Sequence, residues 1–185
     1  MSVLNFPTCP SDCSGSLPAI DFDLCAPELH YGEISHIYVA TAAAAAFANV
    51  ELLGEWSTRL SEAGVDPDAI RELVVMGDLP EPEQTEITIS GDRRVIGFKT
   101  FAINFDIDET NDVNYYWLMN QECSFQNRIW YRTADGLLYG GNTGILATIR
   151  MNQIIPRERT EIVKFTGTVV WKSQFSPLRT VFPLV

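Results

Sequence analysis

The stretch Phe101-Ala102-Ile103-Asn104-Phe105-Asp106-Ile107 decides the fold class. Its four large apolar residues alternate with Ala102, Asn104, Asp106 and then Asp108, a period of two that lays one side on a core and turns the other to water. Two later stretches repeat the pattern. Ile145, Ala147, Ile149 and Met151 alternate with Leu146, Thr148, Arg150 and Asn152, and Phe165, Gly167, Val169 and Trp171 alternate with Lys164, Thr166, Thr168 and Lys172. Alternation of this kind belongs to antiparallel sheets with one solvated face. Phe125, Asn127, Ile129 and Tyr131 predict a further strand, and Asp135-Gly136 a hairpin turn. The glycine-rich run Tyr139-Gly140-Gly141-Asn142-Thr143-Gly144 reads as a flexible loop between strands.

Upstream of this β-rich half the signals are mixed. Glu33 to Ala40 is β-branched and aromatic and predicts a strand, whereas the run Ala42–Ala46 is ambiguous between helix and strand. A helix is expected from about Val50 to Leu60, capped by Asn49, with Val50, Leu53, Trp56 and Leu60 near one face. A second is expected from Asp66 and Pro67 to Gly77, with Ile70, Leu73 and Val74 as its stripe. The acidic, proline-bearing segment Asp78 to Gln84 is expected to be a loop. A third helix, Asp112 to Glu122, is expected to pack through Val113, Tyr116, Trp117 and Met119. Residues 1–33, with Pro7, Pro10, Pro18 and Pro27, show no sustained period and predict an irregular arm. The expectation is a mainly β protein with inserted helices. It is an antiparallel β-sandwich or barrel over residues 34–185, with one flanking helix and an N-terminal arm at 1–33.

Length and composition agree with that outline. The 185 residues are 46% hydrophobic and 20% charged, the profile of one globular domain, and no apolar run approaches the roughly 20 residues of a membrane span. The N-terminus lacks the basic and apolar regions of a secretory signal, so the chain is expected to stay where it is made. Net charge is −11, against a strong grip on nucleic-acid phosphates. The charge is uneven: residues 1–90 hold fifteen acids against Arg59 and Arg71, and residues 91–185 hold nine acids against eleven bases. Halves of −13 and +2 could attract each other between copies, although a solvated acidic surface is the simpler explanation of the acids.

Few residues offer chemistry. Only His30 and His36 are present for a nucleophile–histidine system, and no nucleophile elbow or phosphate-binding glycine pattern occurs. Cys9, Cys13, Cys25 and His30 have partial zinc spacing, but Pro27 interrupts the second pair; Cys9, Cys13, Cys25 and Cys123 are expected to be plain thiols. Asp106, Asp108, Glu109, Asn111 and Asp112 offer oxygens for Ca²⁺ but lack the glycine and terminal glutamate of an EF-hand loop, and a strand end leading into a helix cap explains them more simply. Trp117, Trp130, Tyr131 and Tyr139 are open to two readings, a ligand-stacking platform or core and interface residues. No catalytic residue, metal or cofactor is assigned.

The ending Glu161-Ile-Val-Lys-Phe-Thr-Gly-Thr-Val-Val-Trp171, with the tail to Arg179, resembles the closing strand and tail of phage tail structural proteins. The segment Phe47-Ala-Asn-Val-Glu-Leu-Leu-Gly-Glu-Trp56-Ser-Thr-Arg-Leu60 is similar to one in virion proteins of phages infecting Bacteroidota. The resemblance to phage tail tube, or major tail, proteins implies subunits that form homo-oligomeric rings, commonly hexamers. Those rings stack into a tube in the virion, meet other tail or connector proteins, and pass DNA without binding it specifically. The arm with three cysteines and the alanine run depart from a simple tube subunit, which leaves a head-to-tail connector ring as an alternative. A ligand-binding β-sandwich module is the alternative from a different class. If residues 1–33 are an arm, deleting them leaves a protein with unchanged circular dichroism and impaired assembly; loss of the fold would place them in the core.

Overall fold

The computed structural model describes residues 30, 32–62, 66–89, 93–122, 126–158 and 160–183. Residues 1–29 and Cys123, and with them all four cysteines and most of the expected arm, lie outside the described residues. Residues Tyr31–Val185 form one compact unit. In chain order its elements are β1 Ile34–Thr41, α1 Leu53–Ser61, β2 Arg71–Asp78, β3 Glu83–Ile89, β4 Arg93–Ile107, α2 Asp112–Gln121, β5 Asn127–Thr133, β6 Leu137–Tyr139, β7 Ile145–Ile154, β8 Lys164–Ser173 and β9 Arg179–Val181.

The protein is mainly β, built as a closed antiparallel barrel of six strands with extra strands attached. The order runs β1-β2-β4-β8-β7-β5, and β5 pairs back to β1 to close it. β3 extends the sheet from the first half of β4, while β6 and β9 extend it from β5. The alternating stretches point into the barrel as expected: Phe101, Ile103, Phe105, Ile107, Ala147, Ile149, Met151, Phe165, Val169 and Trp171 are all buried in one cluster. Ile34, Ile37, Val39, Ile129 and Tyr131 join it from β1 and β5.

Those last two strands are buried on both faces, because a second core lies outside the barrel. Tyr38 and Ala40 of β1 and Trp130 of β5 pack there with Ala44, Phe47, Val50, Trp56, Ile70, Leu138 and Phe182. α1 supplies Trp56, whose indole donates to the Val50 carbonyl at 2.8 Å. No side chain caps α1 at Leu52. Asn49, expected as the cap, instead accepts from the Glu51 amide, and the Glu55 carboxylate turns back to the Ala48 and Asn49 amides. The alanine run is an extended loop held over this core, with the Arg59 guanidinium donating to the Ala45 and Ala46 carbonyls.

The structure differs from the sequence reading at the second expected helix. Asp66 and Pro67 open a turn, and β2 follows, with Arg71, Leu73, Val75, Gly77 and Leu79 on the more buried row and Glu72, Val74, Met76 and Asp78 exposed. Arg71 and Gly77 in the inner row hide the period of two, and Ile70 is apolar because it belongs to the outer core. Pairing to β1 and β4 decides the outcome. The acidic loop is shorter than expected, since β3 begins at Glu83.

α2 begins at the Asn111 cap, whose side chain accepts from the Asn114 amide at 2.8 Å, but its packing face is not the expected one. Val113, Tyr116 and Met119 are exposed, and the inward side is the buried Leu118 with the half-buried Asn114, Trp117 and Gln121, a proper i, i+3, i+4, i+7 face. Two of its members are polar and satisfied: Asn114 donates to the Glu109 carbonyl, and Gln121 accepts from Asn127 at 2.7 Å. α2 packs along β7, where β7 outruns its three paired positions with β5.

Inside the barrel Gly167 faces Phe105 on one side and Met151 on the other. A Cβ there would fall 2.4 Å from Cζ of Phe105 and 2.9 Å from Cγ of Met151, so the phenylalanine ring occupies the space a side chain would need. Gly167→Val is expected to lower stability by about 1–3 kcal/mol through overpacking. Adding Phe105→Leu should recover part of that loss in thermal melts; independent, additive losses would show that the two sites do not share the space.

Candidate assembly surfaces

The chemical candidates from the sequence separate in space or become structural. Among the described residues no group of three or more His, Cys, Asp or Glu side chains is placed to hold a metal ion. Asp106 bonds Lys164 at 2.6 Å, Asn111 caps α2, and the Asn111 amide donates to Glu109. His36 lies on the outer side of β1, with Nδ1 2.9 Å from the Ser35 hydroxyl and Nε2 3.7 Å from Glu72. Ser35, His36 and Glu72 thus mimic a nucleophile–base–acid order. The acid contact, however, is longer than a hydrogen bond, and none of the three lines any of the described grooves. Burial holds the His36 pKa below its ordinary value, with Glu72 pulling up and Arg132 pushing down. Burial first, and Glu72 second, push the neighbouring Tyr38 hydroxyl up, out of the range where it could act as a base.

The aromatic candidates are packed rather than presented. Trp130 is fully buried in the outer core and its indole donates to the Gly141 carbonyl at 2.8 Å. Tyr131 points the other way into the barrel, stacked on Tyr139 with ring centroids 4.8 Å apart. The glycine-rich run joins β6 to β7 as a loop, as expected, and is closely fitted against the outer core. Gly144 has φ +66°, and a Cβ there would fall 2.7 Å from both Arg128 and the Trp130 ring. Asn142 is tied to the outer core as well, its side chain accepting from the Val50 amide.

What the chain presents outward is a polar sheet face with separate apolar patches. Cross-strand rows such as Asp78, Asn104, Thr168 and Arg150 run over β2, β4, β8 and β7. On α2, Val113, Tyr116 and Met119 are exposed. At one end of β4, Ile87 and Phe98 stand on a hairpin formed by β3 and the first half of β4; Phe98 is 64% exposed. At the other end, Met76, Asp106, Asp108, Ile154, Ile162 and Lys164 line an open groove of about 580 Å³. Ile155 beside it is exposed too. Exposed apolar side chains gathered on one element are candidates for contact sites. No helix of the described residues is long and apolar enough to cross a membrane. No protein-family model and no curated protein matches the chain.

Sequence reasoning found the strands that carry these patches but not the patches themselves. Met76 falls within the expected second helix, outside its Ile70, Leu73 and Val74 stripe, and Ile154, Ile155 and Ile162 lie where the alternation of β7 and β8 breaks down, which is the available signal.

The Asp106–Lys164 pair spans β4 and β8 at the groove floor. Its hydrogen bond from Lys164 holds the Asp106 pKa below the ordinary 3.8. A depressed carboxylate adds stability that is present above the ordinary value and is lost as pH falls through the folded one. Both side chains are partly exposed, so Asp106→Asn is expected to cost under about 1 kcal/mol at neutral pH. The difference between variant and wild type should shrink to nothing in acid denaturation series below the ordinary carboxylate range; a difference that persists there would assign the loss to packing.

Proposed function

We propose that this chain is a structural subunit of a phage virion, self-assembling into rings that stack as a tail tube through which DNA passes. The observation that carries the reading is the closed barrel bearing apolar patches on separate elements. α2, the β3–β4 hairpin and the groove are distinct surfaces, and distinct surfaces make the heterologous contacts from which rings and stacks are built, whereas an enzyme or receptor concentrates its apolar surface in one cleft. Charge placement supports it. Glu72 and Asp78 are exposed on β2, while Arg150 and Lys172 are exposed on β7 and β8, so different sectors of one barrel carry opposite signs. The net charge of −11 suits a wall past which DNA moves without sticking. The ligand-binding alternative has lost two of its aromatics, Trp130 and Tyr131, to the two cores.

Sedimentation over a concentration series and negative-stain microscopy test the reading. Rings or tubes are expected. Tyr116→Asp on α2, at a side chain 67% exposed, should leave the melting temperature nearly unchanged while weakening the assembly. A strictly monomeric wild type at high concentration would overturn the proposal.

A further inference from the structure

β7 and β8 are not paired along their whole length. Their ladder begins with Ile154 opposite Lys164 and ends with Thr148 opposite Val170. Past that rung β7 turns to β5, setting Ala147, Leu146 and Ile145 against Asn127, Arg128 and Ile129. β8 continues on β4 instead, with Trp171, Lys172 and Ser173 against Phe101, Thr100 and Lys99. The two strands part, and a groove of about 520 Å³ lies at the parting. Its lining draws on both faces of the barrel wall: Ala147 and Trp171 belong to the inward row, whereas Leu146, Thr148, Arg150, Val170 and Lys172 belong to the outward one.

Two features of this groove call for an acceptor. Trp171 is 4% exposed, and its indole N–H is buried without a hydrogen-bond partner. Trp56 and Trp130 are buried more deeply still, yet each indole donates to a backbone carbonyl at 2.8 Å. Buried donors are nearly always paired, because an unpaired one bears its full desolvation cost. The second feature is charge. Arg150 and Lys172 are exposed on the outward face and bracket the last rung, one lying two residues along β7 and the other two residues along β8. No carboxylate lines the groove, and among the described residues neither cation forms a salt bridge.

A group that accepts from an indole and from two cations, and needs to donate nothing, is an oxyanion. Leu146, Ala147 and Val170 add apolar lining on which a carbon body can rest. We propose that the parting of β7 and β8 is a binding site for a small organic carboxylate, its headgroup held by the Trp171 indole N–H, Arg150 and Lys172, and its body lying on Leu146 and Val170. The volume falls in the range of small-molecule sites, about 300–1,000 Å³. The site is complete within one chain and stands apart from the assembly reading.

Equilibrium dialysis with benzoate tests this, and it reads binding whether the chain is single or assembled. One saturable site per chain is expected. Benzyl alcohol, which lacks the charge, and inorganic phosphate, which lacks the apolar body, should each bind about tenfold or more weakly. Arg150→Gln and Lys172→Gln lie at exposed positions, so each should melt as wild type does and bind benzoate about tenfold more weakly. Trp171→Phe keeps a ring beside Phe101 and removes the donor, and it should weaken benzoate as well. Arg157→Gln, at an exposed cation outside the groove, should leave binding unchanged. The absence of saturable benzoate binding would overturn the site. Binding that survives Arg150→Gln and Lys172→Gln together would place the anion elsewhere and overturn it too. Phosphate binding as tightly as benzoate would overturn the assignment to an organic carboxylate.

Discussion

The pairing of β1 with β5 is the contact on which the rest of the structure depends. β1 bonds β2 on one edge and β5 on the other, over Ile34 to Thr41 against Thr133 to Asn127, and only this second ladder turns an open sheet into a barrel. It joins segments about ninety residues apart in sequence, so it forms at a large cost in chain entropy. The compensation is burial on both faces. Ile37 and Val39 fill the barrel while Tyr38 and Ala40 fill the outer core, and Ile129, Trp130 and Tyr131 do the same from β5. Tyr38, Trp56 and Phe182 meet at ring separations near 5 Å, edge-on and stacked, and that cluster draws α1, the alanine loop and the C-terminal strand onto one side of the closure.

Closure also settles what the remaining strands have to offer. With β1 and β5 covered by the outer core, the outward faces of β2, β4, β8 and β7 meet solvent, with polar cross-strand rows such as Asp78, Asn104, Thr168 and Arg150 interrupted by the exposed Val74, Met76 and Leu146. A barrel has no edges of its own. The edges that remain belong to the added strands, and β9, with three residues, is too short to template much. β3 is longer but bears Glu83 and Glu86, charges that disfavour indiscriminate pairing while leaving a selective contact open.

How far this was legible in the sequence follows from which faces are buried. Where one face of a strand is core and the other water, as at Phe101–Ile107, Ile145–Met151 and Phe165–Trp171, the period of two is plain and the strand is read correctly. Where both faces are buried, as at Ile37-Tyr38-Val39, the strand is recognisable by its residue types, but its partner β5 is not, because nothing local encodes a ladder to a segment so distant. β2 was misread because Gly77 and Arg71 occupy inner positions while Val74 and Met76 face out. α2 is legible but its inward face is not, since Asn114 and Gln121 turn inward, half-buried, as hydrogen-bonding partners rather than as apolar weight. The glycine run looked flexible because a sequence cannot show that Trp130 fills the space beside Gly144.

The outward-facing Val74 and Met76 on β2 then become informative rather than anomalous. Folding of the barrel gives no reason to place a valine 66% exposed and a methionine 55% exposed on one strand when the paired outward positions Asp106 of β4 and Thr166 of β8 are polar. Replacing them with threonine would keep the strand preference and the inward row intact. Exposed apolar side chains on a strand whose inner face already supplies the core, with Met76 lining the groove, lower free energy only when something covers them. The same fifteen-residue strand that braces the barrel against β8 runs past the barrel at its other end, so the exposed Phe98 and the exposed Met76 are held apart by the stiff, doubly paired middle of β4.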